Sequence, residues 1–378
     1  MMVAMSRADI SPIALAGGGT AGHVYPAGAV VAGMGGTAIW LGREAGMERH
    51  LARDLGIPFA ATGAGAVAGR NALQLLQSAL ANLRGFLSAR HILSERHPYA
   101  LFATGGYVSV PPVLAARSLS IPVILFLPDI EPGLAIRFLA RFASAIVCTA
   151  AESARYLRGA SVVPTGYPVR PELRAWSGRP DRRAAARSEL GIGEDPVILV
   201  MGGSQGARAI NEAVWTALPR LVGGATVLHQ TGLAGADDSL RARRSLPEWL
   251  QDRYRPTPFV SLELGMWLAA ADLFVGRAGA STLGELPAFS LPALLIPGSF
   301  AGGHQRANAA YLARQGAAHI YTSPLPESAA ALAQEALALL YDRAGQEQRR
   351  TAMGLLDRPG SIDAIRATIA RFAFEDAR

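Results

Sequence analysis

The chain has 378 residues, half of them hydrophobic and 17% charged, which excludes disorder and predicts two domains rather than one oversized core. The formal charge of +7 rests on arginine, since no lysine occurs. The arginines are spread along the chain without a dense run or interleaved aromatics, which argues against nucleic acid and leaves phosphates or an anionic membrane surface as partners. The single cysteine, Cys148, excludes an internal disulfide and a cysteine metal cluster and reads as a small core residue.

The opening segment, with Arg7 and Asp9, does not read as a signal peptide. The charge-free stretch Leu286–Gly303 is broken by Pro287, Pro292 and Pro297 and does not read as a membrane span. A cytoplasmic protein is expected. Short apolar runs alternate with helical patterns, the signature of βαβ units and parallel sheets. Strands are predicted at Ile13–Ala16, Ala38–Leu41, Leu101–Ala103, Val123–Phe126 and Ala145–Thr149, with helices over Gly46–Leu55 and Asn71–Ser94. On the second of these helices Leu73, Leu76, Leu80, Leu83 and Leu87 recur at helical spacing beside Arg84 and Arg90. Such a stripe reads first as a core face, and with its basic rim alternatively as a face lying in a membrane interface.

Two prolines and a glycine between Val162 and Arg170 predict a hinge between domains. An arginine-rich loop entering a surface helix follows at Ser177–Leu190, and the strand pattern then restarts at Val197–Val200, Thr226–Gln230, Pro258–Val260, Leu273–Val275 and Ala293–Ile296. Amphipathic helices at Glu327–Tyr341 and Ser361–Phe374 close the chain. Each half opens with a strand, a glycine-rich turn and a helix, a duplication of architecture without a sequence repeat.

Five turns carry the chemistry. Gly17-Gly18-Gly19-Thr20-Ala21-Gly22-His23 follows the first strand, where glycines let amides approach an anion and a helix N-terminus favours it. A ligand-free tight turn is the alternative; a dinucleotide site fits less well, because the G-x-G-x-x-G spacing is not met and Leu41-Gly42-Arg43 offers no acid. His23, at the mouth of this turn, can take a proton from an incoming hydroxyl. Thr104-Gly105-Gly106-Tyr107-Val108-Ser109 is a second glycine turn that converges on the same crevice if both strands share a sheet. In the second half, Met201-Gly202-Gly203-Ser204-Gln205-Gly206-Ala207 offers a phosphate site. Gly276-Arg277-Ala278-Gly279-Ala280-Ser281-Thr282-Leu283-Gly284-Glu285 offers a carboxylate for a ribose diol, or a plain helix-terminal acid. Gly302-Gly303-His304-Gln305-Arg306-Ala307-Asn308 offers neutral groups suited to sugar hydroxyls, or an ordinary polar helix start.

The ordered set GGGTAGHVYPA, GGYVS, TGYPVR, GGSQGA, GRAGASTLGE and HQRANA resembles the MurG family, bacterial inverting N-acetylglucosaminyltransferases of peptidoglycan synthesis. The resemblance implies an α/β chain of GT-B architecture, with two Rossmann-like doubly wound parallel-sheet domains facing a central cleft. It implies an acceptor-binding domain over residues 1–168, onto which residues 358–378 pack back, and a UDP-sugar-binding domain over residues 169–357. The implied reaction moves N-acetylglucosamine from UDP-N-acetylglucosamine to the undecaprenyl-linked muramyl sugar of lipid I, giving lipid II, at the inner face of the cell membrane and with no metal cofactor.

Residue by residue, the resemblance makes His23 the general base and places Gly18, Gly19, Thr20, Gly22, Gly105, Gly106 and Tyr107 at the acceptor's diphosphate. It puts Ser204 and Gln205 at the donor phosphates, Arg170, Ser281 and Thr282 near the donor, Val260 and Ala280 beside the uracil, Glu285 on the ribose, and Gln305 and Asn308 near the N-acetylglucosamine. The departures gather in the acceptor half. Phe126-Leu127-Pro128-Asp129 stands where the family carries HEQN, Val110-Pro111-Pro112-Val113 replaces the usual glycines, Ala21 replaces a glycine and Tyr167 an asparagine. Asp129 is therefore a second candidate catalytic residue, able to orient His23 or act as the base itself. The rival readings are a related transferase with another acceptor, a UDP-sugar epimerase and a non-catalytic UDP-sugar-binding subunit.

Overall fold

The structure, a computed structural model, describes residues 12–18, 21–32, 38–66, 71–178, 180–203, 205–261, 263–298 and 303–375. The chain divides into two compact units, Met1–Arg170 with Pro359–Arg378, and Pro171–Arg358.

The first unit is built on seven parallel strands: β1 (Ile13–Ala16), β2 (Ala38–Gly42), β3 (Phe59–Ala61), β4 (Ala100–Ala103), β5 (Val123–Leu127), β6 (Ala145–Cys148) and β7 (Val162–Pro164). Their order is β3-β2-β1-β4-β5-β6-β7, so the chain reverses direction across the sheet between β1 and β4. The interior strands β2, β1, β4, β5 and β6 are buried at every position, because helices cover both faces of a parallel sheet. The thiol of Cys148, in β6, is pushed by burial up to about 12, which suits a packing residue and not a nucleophile.

The helix Ser361–Glu375 returns to this unit. Ser361 Oγ donates to the Tyr167 carbonyl at 3.0 Å, and Arg366 Nε donates to the Val30 carbonyl of the helix Ala21–Val31 at 2.7 Å. The helix Ala72–Arg96 opens with an Asn71–Gln74 capping box, which satisfies two backbone donors reciprocally. Its leucine stripe does not face the core: Leu73, Leu76, Leu80, Leu83 and Leu87 are 65%, 59%, 47%, 56% and 57% exposed. The covering of the sheet falls to other positions of this helix, where Ala89 and Leu93 are fully buried.

The second unit repeats the plan with six parallel strands: β8 (Val197–Met201), β9 (Thr226–Gln230), β10 (Tyr254–Thr257), β11 (Leu273–Gly276), β12 (Ala293–Leu295) and β13 (Ala318–Ile320). The order β10-β9-β8-β11-β12-β13 reproduces the first six strands of the other sheet, with the reversal between β8 and β11. The third strand here is Tyr254–Thr257 and not Pro258–Val260 as the sequence suggests, since Tyr254 is fully buried while Phe259 is exposed. Among the described residues no helix is long and apolar enough to cross a membrane.

Asp272, just before β11, gathers the base of this unit. Its carboxylate accepts from Arg183, from Arg187 Nη2 at 2.7 Å and from the Val197 amide at 2.9 Å, tying the helix Pro180–Glu189 to the start of β8. Burial lowers the pKa of Arg187 even against this partner. Replacing Asp272 by Asn leaves partly buried guanidinium groups uncompensated and is expected to lower unfolding stability by about 2 kcal/mol or more, read as a shift in the urea midpoint. An unchanged midpoint would contradict the role given to this residue.

Candidate functional site

Ligands of doubly wound sheets bind beyond the carboxyl ends of the strands at the point of reversal. In the first unit that point lies between β1 and β4. Two turns leave the sheet there side by side, because Ala16 pairs with Ala103. Gly105 and Gly106 have φ of +94° and +76°, which residues with a Cβ rarely adopt. A Cβ at Gly106 would also fall 2.9 Å from the Gly18 carbonyl oxygen, and one at Gly17 would fall 2.0 Å from Thr104 Oγ1. The glycines are therefore demanded by the close approach of the two turns.

His23 stands in the first turn of the helix Ala21–Val31, half-buried, with Nδ1 2.7 Å from the Thr104 carbonyl oxygen. A carbonyl can only accept, so Nδ1 carries the proton, and in the neutral ring Nε2 is left with a bare lone pair. Asp129 is half-buried two residues beyond the end of β5. The hydrogen bond that orients His23 goes to Thr104 and not to this carboxylate. Gly22 is touched from the Val162–Arg170 segment, where Tyr167 Oη lies 3.5 Å from its carbonyl oxygen. Gly18 is buried against the side chain of Glu48, and Tyr107 opens the short helical turn after Gly106. Gly19 and Thr20 lie outside the described residues. Arg170 belongs to this first unit, its guanidinium carbon 4.2 Å from the ring centre of Tyr25.

In the second unit the corresponding turns follow β8 and β11. Gly203 and Gly206 have φ of +101° and +78°, and the Gly206 amide donates to the Gly203 carbonyl at 2.9 Å. Gln205 is exposed in this turn, and Ser204 lies outside the described residues. The buried side chain of Gln230 donates to the Gly203 carbonyl at 3.0 Å and accepts from the Val260 amide at 3.1 Å, joining the turn to the segment after β10.

After β11, the half-buried Ala280 and Ser281 lead into the helix Thr282–Ala288. Thr282 Oγ1 donates to the Gly279 carbonyl at 2.5 Å, and Glu285 is half-buried at the fourth position of the helix. Gln305 Oε1 accepts from the Gly298 amide at 2.8 Å, which leaves its amide nitrogen as the group able to reach a ligand. Asn308 is fully buried and donates to the Ala278 carbonyl at 3.0 Å. That bond ties the helix His304–Arg314 to the turn after β11.

Sequence patterns of known families divide the chain in the same way. The pattern described as "Glycosyltransferase family 28 N-terminal domain" matches residues 13–148, and "Glycosyltransferase family 28 C-terminal domain" matches residues 197–353. A relative in Gloeobacter violaceus is 38% identical over 366 residues, covering 96% of this chain and 94% of its own. A relative in Roseiflexus sp. (strain RS-1) is 40% identical over 363 residues, covering 80% of this chain and 81% of its own. Both are named UDP-N-acetylglucosamine–N-acetylmuramyl-(pentapeptide) pyrophosphoryl-undecaprenol N-acetylglucosamine transferase. The chain belongs to the MurG family. The crystal structure of Acinetobacter baumannii MurG superposes with a TM-score of 0.72 at 25% identity, covering 96% of this chain and 99% of that one. A UDP-GlcNAc 2-epimerase from Neisseria meningitidis gives a TM-score of 0.67 at 11% identity, a likeness of fold alone.

Within this MurG-family fold, two residues emerge that motif reading left without a role. Arg277 follows β11 directly, its amide 3.1 Å from the Met201 carbonyl oxygen beside the Gly202-Gly203 turn. Its Nη1 donates to the Ile296 carbonyl at 2.9 Å, burial lowers its pKa, and Nε has no hydrogen-bond partner among the described residues. A desolvated cation of this kind at a glycine turn is suited to an anion. In the sequence its signal is an arginine set among the small residues of the GRAGAST string. The other residue is His229, which no motif marked.

His229 is fully buried in β9 within a continuous chain of hydrogen bonds. Trp215 Nε1 donates to Tyr254 Oη at 3.0 Å, Tyr254 Oη lies 3.0 Å from His229 Nδ1, and His229 Nε2 lies 3.2 Å from Asn211 Oδ1. Asn211 Nδ2 then donates to the Thr231 carbonyl at 2.7 Å. A Cβ on Gly206 would fall 2.1 Å from the Thr231 oxygen, so the network backs the glycine turn after β8. Burial pulls the His229 pKa from 6.5 down to about 3. The unfolded chain therefore takes up this proton first, and the stability held above about pH 6.5 is lost as pH falls toward 3. The expected slope from this group is about 1.4 kcal/mol per pH unit, and His229→Gln should remove it from urea titrations between about pH 6 and pH 4. Parallel pH profiles for the two proteins would contradict this assignment.

Proposed function

We propose that the chain transfers N-acetylglucosamine, with inversion, from UDP-N-acetylglucosamine to the muramyl sugar of undecaprenyl-linked lipid I, forming lipid II for peptidoglycan synthesis. The acceptor is taken by the first unit and the donor by the second. The chemistry is carried by one observation, the bond from His23 to the Thr104 carbonyl that leaves Nε2 as an acceptor at the mouth of the glycine turns. The substrates follow from the reaction for which the relatives are named.

In this reading Nε2 removes the proton of the acceptor's sugar hydroxyl as its oxygen bonds to the anomeric carbon of N-acetylglucosamine. The bond from that carbon to the diphosphate oxygen breaks, and UDP leaves with the electron pair. The charge gathering on UDP is met by the amides at Gly203, Gly206 and Ala207 and by Arg277. No metal cofactor is called for. Glu285 holds the ribose, the backbone around Val260 and Ala280 reads the uracil with Ser281 and Thr282 beside it, and Gln305 contacts the sugar. The amides at Gly18, Gly105 and Gly106 hold the acceptor's diphosphate.

The chain works on the inner face of the membrane, in the cytoplasm, without crossing it. The support is the exposed leucine face of the helix Ala72–Arg96, which a soluble surface would not favour. Leu134 and Phe138, 76% and 42% exposed beside Arg137 and Arg141, extend that apolar and basic character.

His23→Ala is expected to lower kcat for transfer from UDP-N-acetylglucosamine to lipid I by about a hundredfold or more. Asp129→Asn is expected to cost far less, because Thr104 already orients the imidazole. Equal losses in the two variants would move the base to Asp129, and an inactive wild-type enzyme with lipid I would remove the reading. A Leu76→Glu and Leu83→Glu double variant should lose most of its binding to phosphatidylglycerol vesicles while keeping its kcat on a detergent-solubilised acceptor. Unaltered vesicle binding would contradict the membrane face.

A further inference from the structure

One cation of the first unit has no part in the scheme above. Arg43 is the residue immediately after β2. Leu41 pairs with Ala16, and Ala16 with Ala103, so Arg43, Gly18 and Gly105 leave three adjacent strands at the same level. β1 lies between β2 and β4, and the Arg43 side chain reaches across it: Nη1 donates to Tyr107 Oη, with the guanidinium carbon 5.8 Å from the centre of that ring. The cation therefore spans the edge at which the two glycine turns meet.

Its backbone is fixed from beneath. The Arg43 amide donates to Glu48 Oε1 at 2.9 Å, and Glu48 is fully buried. Glu48 Oε2 has no hydrogen-bond partner among the described residues, and a Cβ on Gly18 would fall 2.5 Å from this carboxyl group. The guanidinium does not turn back to Glu48, and Arg43 makes no ion pair among the described residues. A guanidinium has five donors, of which the phenol takes one. An anion settling over Gly18 would face a buried carboxyl group, so a neighbouring cation is needed to make the place hospitable.

We propose that Arg43, oriented by Tyr107, clamps the diphosphate of the lipid-linked acceptor against the backbone amides at Gly18, Gly105 and Gly106. This rests on the reading that the first unit takes the acceptor. Three features support it: a half-buried arginine without a carboxylate partner, a phenol that fixes its plane, and backbone donors on adjacent strands. A planar fork of donors matches phosphate oxygens in pairs. The residue after the second strand of a doubly wound sheet is also the position from which an arginine accommodates a phosphate in nucleotide-binding folds. Arg43 is thus a binding residue of the acceptor side and takes no part in proton transfer.

The test uses the full chain as wild type, Arg43→Ala, Arg43→Lys and Tyr107→Phe, each checked for an unchanged melting temperature. The acceptor is a short-chain lipid I analogue in neutral detergent micelles free of anionic lipid. Arg43→Ala should raise the acceptor KM about tenfold to a hundredfold, leave the donor KM unchanged, and abolish competition by inorganic pyrophosphate against the acceptor. Arg43→Lys should recover part of the loss, since it keeps the charge without the fork, and Tyr107→Phe should show a smaller rise. A wild-type acceptor KM in Arg43→Ala, or an equal rise in both KM values, overturns the proposal. So does loss of phosphatidylglycerol vesicle binding with an intact acceptor KM, which would assign the arginine to membrane headgroups. Should the wild type transfer nothing, the proposed function fails separately. Calorimetry of pyrophosphate into the UDP-saturated protein then still decides: binding by wild type but not by Arg43→Ala upholds the anion site, and equal binding overturns it.

Discussion

A hydrogen bond of 2.7 Å between His23 and the Thr104 carbonyl joins the helix entering after β1 to the turn leaving β4. It sets which ring nitrogen can receive a proton, and so decides whether the crevice is a passive anion cradle or a place where a hydroxyl can be activated. The rest of the first unit serves that contact. β1 and β4 are neighbours only because the chain reverses there, and the two turns approach closely only because Gly17, Gly105 and Gly106 lack side chains. Helix Ser361–Glu375 braces the helix that carries His23 through Arg366.

The second unit repeats the order of strands. Its turn after β8 is held by Gln230 and backed by the Trp215–Tyr254–His229–Asn211 chain. Rigid support of this kind keeps the amides of a turn in place, so that they need not reorganise to meet an anion. Arg277 adds a cation that its own surroundings leave poorly hydrated. One architecture, used twice, thus holds an oriented imidazole in one unit and a braced glycine turn in the other.

Much of this was legible in the sequence, and what was missed has a common physical cause. All nine interior strands of the two sheets were marked by their apolar runs, because both faces of an interior parallel strand are buried. The four edge strands were missed or misplaced. β3, β7 and β13 are three residues each and partly exposed, and β10 reads Tyr254-Arg255-Pro256-Thr257, with a proline that only an edge tolerates. The leucine stripe misled in the opposite sense, since helical periodicity reports an apolar face without saying what covers it. Asn308 has the residue type of a sugar contact, yet burial gives it to the Ala278 carbonyl. Arg43 stands out in the sequence only as the lack of an acid after the second strand, and Glu48 not at all, because their places come from the adjacency of β2, β1 and β4 and not from any spacing along the chain.

The tautomer of His23 is the most direct measure of the account. Nitrogen NMR of protein labelled in the histidine ring, with His23→Ala identifying the signal, should show Nδ1 protonated and Nε2 bare when the ring is neutral. Addition of an acceptor analogue should then perturb Nε2. A neutral ring protonated at Nε2 would mean that the bond to Thr104 is not made, and that Nε2 cannot be the base.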